Sequence, residues 1–319
     1  MFNEERKKEF IRGYTGSLNT ANVATTIFNA AEKFEVEWNA DLCTKSAEEL
    51  QPLVDKISGL RAKSKWMSLT ILKEYVKWCI AMKVPNACDG MLHIEAVGLD
   101  KVRRQMVANP IHLQSYLDIM FEKESEETID NLFRCYFWMA YGGIDEDDTI
   151  LVKAEDVDFS QMVIHYKTTT IPIYREAVPA FRNAVMLTDF KYIHTKSPRY
   201  ETRRERIPGD TIMRGIKADA KILTMRTTIS KRNIKAVQEG RIELQLGFYR
   251  VRMSGLFYRT YEKERAGLDV DFTDAAERMM DGKKYTLSGR ETIDHRRNRL
   301  VKDYMEDYER WKLAFSMQK

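Results

Sequence analysis

One short stretch sets the fold class. In a chain whose apolar residues elsewhere recur at three- and four-residue spacing, Met162, Ile164 and Tyr166 alternate with Val163 and His165, and a second alternating run, Thr169 to Ile173, follows at once. A period of two places successive side chains on opposite faces of a strand, and two such runs back to back predict a β-hairpin. The surroundings carry the helical period. The expected fold class is therefore mainly α with a small antiparallel β-sheet.

Upstream of the hairpin the pattern is helical only. Phe2 to Tyr14 is amphipathic, Ala21 to Phe34 follows Thr20 as a cap, and Ser46-Ala47-Glu48-Glu49 spells a capping box for a helix running towards Ile57, with Pro52 as a break point. Trp66, Leu69, Leu72, Val76, Cys79 and Ile80 then mark one face of a long helix that must stop before Pro85. Asn86 to Asn109 has weak periodicity and reads as a connector. Beyond it, Leu113–Phe121 and Thr128–Tyr141 are helical, the second dense enough to be a core helix that Gly142-Gly143 breaks. After the hairpin, helices return from Pro179, interrupted by the polar, basic, loop-like stretch at 194–209. A chain of 319 residues exceeds what one core usually supports, so two domains are expected, 1–105 and 106–319.

Charge is distributed unevenly. Residues 106–193 carry 7 Lys/Arg against 15 Asp/Glu, whereas 194–260 carry 16 against 6, inside a chain whose formal net charge is only +4. Such a basic block suggests a polyanionic partner. The richest apolar run, Cys135 to Gly143, is about half the roughly 20 residues that span a bilayer, and the start MFNEERKKEF lacks a signal-peptide core, so no membrane association is expected. Cys43, Cys79, Cys88 and Cys135 are scattered without a CxxC, which suggests reduced thiols in a cytoplasmic protein with neither metal nor cofactor.

Specific motifs then narrow the class. GIDEDDTILVKAEDVDF (143–159), the hairpin IHYKTTTIPI (164–173), FYRVRMSGLFYR (248–259) and, earlier, ILKEYVKWCIAMKVPNA (71–87) together resemble the tyrosine recombinase (phage integrase) family in order and spacing. The resemblance implies a two-domain architecture, a helical core-binding domain followed by a catalytic-type domain. It places Asp145 where the family has its first catalytic arginine, Asp148 at a glutamate, Lys167 at the hairpin lysine, Tyr249 at a His or Lys, and Arg252 at the second arginine. Tyr304 stands nearest to the nucleophile's place, with Tyr308 and Tyr285 as alternatives. Tyr304, Tyr308 and Trp311 also lie three and four apart, the spacing of a packed helix stripe.

Family chemistry explains why Asp145 matters. Two arginines and a lysine surround one DNA phosphate while a tyrosine attacks phosphorus. A cation about 4 Å away is worth roughly 4 kcal/mol at an effective dielectric near 20, and an anion there costs about as much. A swing of about 8 kcal/mol is roughly five or six powers of ten in rate. The resemblance thus implies an inactive recombinase homologue: a sequence-specific double-stranded DNA-binding protein, a phage or prophage transcriptional repressor maintaining lysogeny in the cytoplasm of a bacterial host and associated with its nucleoid. The expected DNA contacts are Lys63, Lys65, Lys167, Arg199, Arg203, Arg204, Arg206, Arg226, Lys231, Arg232, Asn233, Arg250 and Arg252, with Lys196 beside Arg199 and with Thr227, Thr228 and Ser230 among the base readers. The alternatives are an active divergent recombinase, in which Arg134 or a residue of the 194–214 stretch replaces the missing arginine, and an accessory protein whose partner is a regulatory protein or peptide.

Overall fold

A computed structural model describes residues 1–14, 17–57, 62–94, 99–121, 126–167, 169–193, 201–215, 217–218, 220–243, 245–279 and 292–317. The chain divides into two compact units, Met1–Arg103 with Met305–Gln318, and Arg104–Tyr304. The first break falls near the expected one, but the terminal turns of the last helix group with the first unit and not with the second.

The first unit contains α1 (Glu4–Tyr14), α2 (Leu18–Trp38), α3 (Ala47–Ile57) and α4 (Ala62–Ala81), and α5 (Leu99–Gln105) runs across the division. Two details of the sequence reading change. Helix α2 starts a turn earlier than expected, with Ser17 and not Thr20 at its N-cap. In α4 the buried face is Leu69, Ile71, Leu72, Tyr75, Val76 and Cys79, while Trp66 and Ile80 stand 56% and 40% exposed. The apolar spacing located the helix; Ile71 and Tyr75 turn its stripe. The Ser46–Glu49 capping box forms reciprocally, with the Ser46 amide donating to Glu49 Oε2 at 3.0 Å and the Glu49 amide to Ser46 Oγ at 3.4 Å. Helix α3 runs through Pro52 without a break.

Polar groups tie α1 into this core. Lys7 on α1 and Glu35 on α2 are both fully buried and paired. Glu35 Oε1 also accepts from the Leu42 amide at 3.0 Å, and Lys7 Nζ lies 5.4 Å from the Phe28 ring centre. Burial pushes the Glu35 carboxyl upward, opposed by Lys7. Nearby, Asp41 accepts from Asn3 at 2.9 Å, the Tyr75 hydroxyl at 2.9 Å and the Cys43 amide at 3.1 Å. Burial works against its charge, yet these donors hold its carboxyl below the usual range.

In the second unit, α6 (Pro110–Met120) is capped by Asn109, which accepts from the His112 amide at 2.8 Å. Helix α7 (Asn131–Gly142) is buried along its whole length, as its density of apolar and aromatic residues implied. The expected hairpin is present as β2 (Val163–Tyr166) and β3 (Thr169–Pro172), with β1 (Val157–Asp158) completing a sheet of order β1-β2-β3. Ile164 pairs Ile171, and both are buried on one face. After α8 (Val178–Met186), β4 (Asp189–Ile193) pairs antiparallel with β5 (Glu201–Glu205), Lys191 opposite Arg203. The basic stretch expected to be a loop is therefore partly a strand; its charged residues hid a strand whose alternation is polar on both faces. Helices α9 (Ile222–Gln238), α10 (Phe248–Arg265), α11 (Phe272–Arg278) and α12 (Ile293–Ala314) complete the chain.

Helix α10 meets α7 at Gly255, where a Cβ would sit 1.9 Å from the Tyr141 carbonyl oxygen. Only a missing side chain allows that approach, and it fixes α10 against the turn that follows α7. Gly255→Ala should therefore destabilise the second unit by about 1–3 kcal/mol through forced separation of the helices, measured as a loss in urea unfolding free energy. In the first unit, Lys7→Met should cost about 3–5 kcal/mol by stranding the Glu35 charge, and pairing it with Glu35→Leu should restore much of the loss. A double variant no more stable than the single one would contradict that account.

Candidate nucleic-acid interface

The candidate site begins where α7 stops. Gly143 takes φ 104, a left-handed C-cap conformation natural to glycine, and its amide bonds the Met139 and Ala140 carbonyls. The chain then lays down a short 3-10 turn, Glu146–Asp148, immediately after Asp145. This is the acidic sequence Asp145-Glu146-Asp147-Asp148.

Three of these four carboxylates each hold a cation from a different element. Asp145 accepts from Arg252 Nη2 on α10 at 2.5 Å, while Arg252 Nε donates to the Gly143 carbonyl at 3.3 Å. Glu146 receives Arg226 of α9 in a two-pronged pair, at 2.7 Å from Nε and 2.5 Å from Nη2, and also accepts from the Tyr136 hydroxyl. Asp148 binds Lys167 Nζ at 2.7 Å. Lys167 reaches it from the β2–β3 turn, where its φ of 53 is left-handed, a conformation that disfavours a lysine. Asp147 is exposed.

Titration follows the same pairing. Burial acts to raise the Glu146 carboxyl, but Arg226 and the Tyr136 hydroxyl hold it below its ordinary value. The bond to Asp148 raises the Lys167 ammonium. Burial, then the Glu146 charge, raises the Tyr136 phenol. The residues that resemble a phosphate-gripping set are thus brought together, but with carboxylates already on Arg252 and Lys167. The sequence flagged the acids as hostile to phosphate; it did not show which cation each would take, because Arg226 lies 80 residues from Glu146.

Arg134, expected as a stand-in for the family's first arginine in the active-recombinase alternative, is 2% exposed and bonded to Asp118 at 2.8 Å and the Phe121 carbonyl at 3.2 Å. Tyr304 is fully buried, with its hydroxyl 2.6 Å from Thr260 Oγ1, and burial raises its phenol. Tyr308 and Trp311 are buried as well, so all three occupy the packed stripe their spacing suggested. Tyr249, at the start of α10, is 39% exposed. Tyr285 lies outside the described residues.

The expected DNA contacts separate into groups. Arg206 must be corrected: it is 7% exposed and donates to the carbonyls of Ala184, Leu187, Ile212 and Arg214, so it braces the backbone, and burial pushes it down to about 10. Asn233 must be corrected too, being 3% exposed, accepting from the Tyr116 hydroxyl at 3.0 Å and donating to the Leu246 carbonyl at 3.1 Å. Arg252 is buried and held by Asp145, which removes it as a direct phosphate ligand in this arrangement. Arg232 is half-buried, bonded to Asp130 at 2.7 Å and stacked over Phe121. Arg250, half-buried, donates to the Gln245 carbonyl at 2.8 Å. Arg203 is exposed and bridges Asp189 and Glu127. Arg204 lies 4.1 Å from the Tyr192 ring centre, exposed on β5. Lys63 and Lys65 fall in the first turn of α4, their side chains outside the described residues, as Lys196 and Arg199 are entirely.

What α9 presents to water is more coherent. Thr227, Ser230, Lys231, Ile234 and Gln238 recur at three- and four-residue spacing and are all exposed, forming one stripe of hydroxyl, cation and apolar groups. Ile234, 43% exposed, was missed because an isoleucine in an amphipathic pattern is assigned to the core. Among the described residues no cluster of three His, Cys, Asp or Glu is placed to hold a metal ion, and no helix is long and apolar enough to cross a membrane.

Residues 1–81, ending with α4, match the family model described as the MrpR N-terminal core-binding domain. That segment lies within the helical N-terminal region, 1–105, where the sequence resemblance implied a core-binding domain. Among solved structures, the chain is similar to the Tn1549 transposon integrase in complex with a circular intermediate DNA, at 11% identity over 93% of this chain and 97% of that chain, TM-score 0.34. It is also similar to XerA recombinase, at 12% identity over 99% of both chains, TM-score 0.34. No curated protein matches the chain in sequence.

The Glu146–Arg226 tie has a pH signature. Because the folded Glu146 carboxyl lies below its unfolded value, its stabilisation is full above an unfolded pKa of about 4.3 and is lost as pH falls through the folded value. Wild type should therefore be more stable than Glu146→Gln at pH 7, with the gap closing below about pH 4 in denaturant titrations.

Proposed function

We propose that the protein binds specific double-stranded DNA without cutting it, acting as an integrase-like transcriptional repressor of a temperate phage or prophage. The observation that carries this reading is the acidic turn. Asp145 and Asp148 neutralise the two cations, Arg252 and Lys167, that a recombinase would offer to the scissile phosphate. A transition state that builds negative charge gains little from cations already paired, and the buried Tyr304 hydroxyl is not presented to a phosphate.

Binding needs less than cleavage does. The basic block of 194–260 supplies long-range attraction. Arg204 on β5 and Lys231 on α9, both exposed, suit phosphate oxygens, and Arg203 and Arg226 would join by exchanging their carboxylates for phosphates. Thr227, Ser230 and Ile234 share one exposed face of a 17-residue helix, with hydroxyls for base edges and an apolar group for a thymine methyl. The core-binding-type domain at residues 1–81, with Lys63 and Lys65 on α4, would grip the duplex a second time.

Fluorescence anisotropy on fragments of the parent genome should find a preferred site, with affinity falling steeply in salt. Arg204→Ala and Lys231→Ala should weaken all sequences alike and reduce the salt slope by about one each, whereas Ser230→Ala and Thr227→Ala should change the preferred site by about 1–3 kcal/mol. A nicked suicide substrate carrying that site should trap no covalent adduct. An adduct lost in Tyr304→Phe would establish an active recombinase in place of a repressor.

A further inference from the structure

On the second unit, a groove of about 410 Å³ lies between α7, β5 and the start of α9. Its floor is apolar: Leu132, Phe133 and Met225 are buried beneath it, and Ile129 is 38% exposed at its edge. The rim is cationic, formed by Arg204, Lys217 and Lys221. No carboxylate is present among the described lining residues. The acids that flank Ile129 in the chain are engaged elsewhere, Asp130 with Arg232 and Glu127 with Arg203. The groove therefore combines apolar surface with three positive charges that are not ion-paired among the described residues.

We propose that this groove docks an acidic amphipathic segment of a partner protein, with large apolar side chains on the floor and aspartates or glutamates on Arg204, Lys217 and Lys221. DNA fits only half of that chemistry. Its phosphates satisfy the rim but bring little apolar surface to the floor, whereas an acidic peptide satisfies both. Volume agrees, since a cavity of this size takes two or three large side chains. Arg204 belongs both to this rim and to the phosphate contacts proposed above, so docking removes a DNA contact. The regulatory consequence rests on the DNA-binding reading; the docking itself does not.

The two are separated by measuring them apart. A fluorescein-labelled synthetic peptide that alternates leucine and phenylalanine with aspartate and glutamate is titrated with the full-length chain in the absence of DNA. Binding is expected, and it should weaken about tenfold or more in Lys217→Glu/Lys221→Glu and in Ala218→Glu, which puts a carboxylate into the groove at an exposed position. A peptide of the same charge with serines for its apolar residues should bind at least about tenfold more weakly than the first. Circular dichroism and unchanged unfolding midpoints confirm that the variants fold. Equal binding of both peptides, or of wild type and Ala218→Glu, overturns the proposal, as does concentration-dependent self-association that Ala218→Glu abolishes, since a second copy then fills the groove. In a second arm, saturating apolar peptide should lower affinity for the preferred DNA site about fivefold or more, while the serine peptide does not. Peptide binding without DNA competition overturns the regulatory consequence alone. Absence of DNA binding overturns the DNA reading and leaves the first arm intact.

Discussion

Pairing of one acidic turn with cations from three other elements governs the electrostatics of the second unit. A cation near a DNA phosphate is useful only if its charge is available when the phosphate arrives. Here Arg252 is buried against Asp145 and Lys167 is drawn to Asp148, so the charge is spent within the protein. The arrangement also answers a folding problem. An arginine 3% exposed in α10 needs a counter-ion, and Asp145 supplies an internal carboxylate. Arg252 thus serves as a joint between α10 and the turn after α7, neutralised within the protein.

Much of this was legible in the chain because local chemistry and tertiary structure agreed. The hairpin follows from alternation at 162–173, α7 from its uniform burial, and the box at Ser46–Glu49 from its side chains alone. The failures share one cause. Arg206 and Asn233 carry the residue types of a DNA contact, yet long-range packing turned them inward to bond the Ala184 and Leu246 carbonyls. Sequence gives the valence of such a side chain but not whether a distant backbone group claims it first. The β4–β5 pair was missed for a related reason: a strand of Glu201, Thr202, Arg203, Arg204 and Glu205 has no apolar face to reveal its period.

The two units manage buried charge differently. In the first, Lys7 and Glu35 are wholly inside and supported by the Leu42 amide, a closed arrangement that water does not reach. In the second, Arg226 keeps more than half its side chain in solvent while gripping Glu146 with two donors. Closed pairs specify packing and resist exchange; open pairs surrender a partner when a better anion is offered. The Lys7–Glu35 pair is therefore architectural, whereas the Arg226–Glu146 pair keeps its cation open to solvent.

The turn from Asp145 to Asp148 also joins three elements of the second unit. Replacing Asp145 by arginine would set a second cation beside buried Arg252 and remove a carboxylate that it bonds, while Asp148 still held Lys167. Each single change at these carboxylates therefore loosens a buried or turn-borne cation, and changes at neighbouring pairs are not expected to add independently. The acidic turn therefore behaves as a hub: its three paired carboxylates fasten the hairpin, α9 and α10 to one short stretch of chain, so a change at any one of them is felt in a different element.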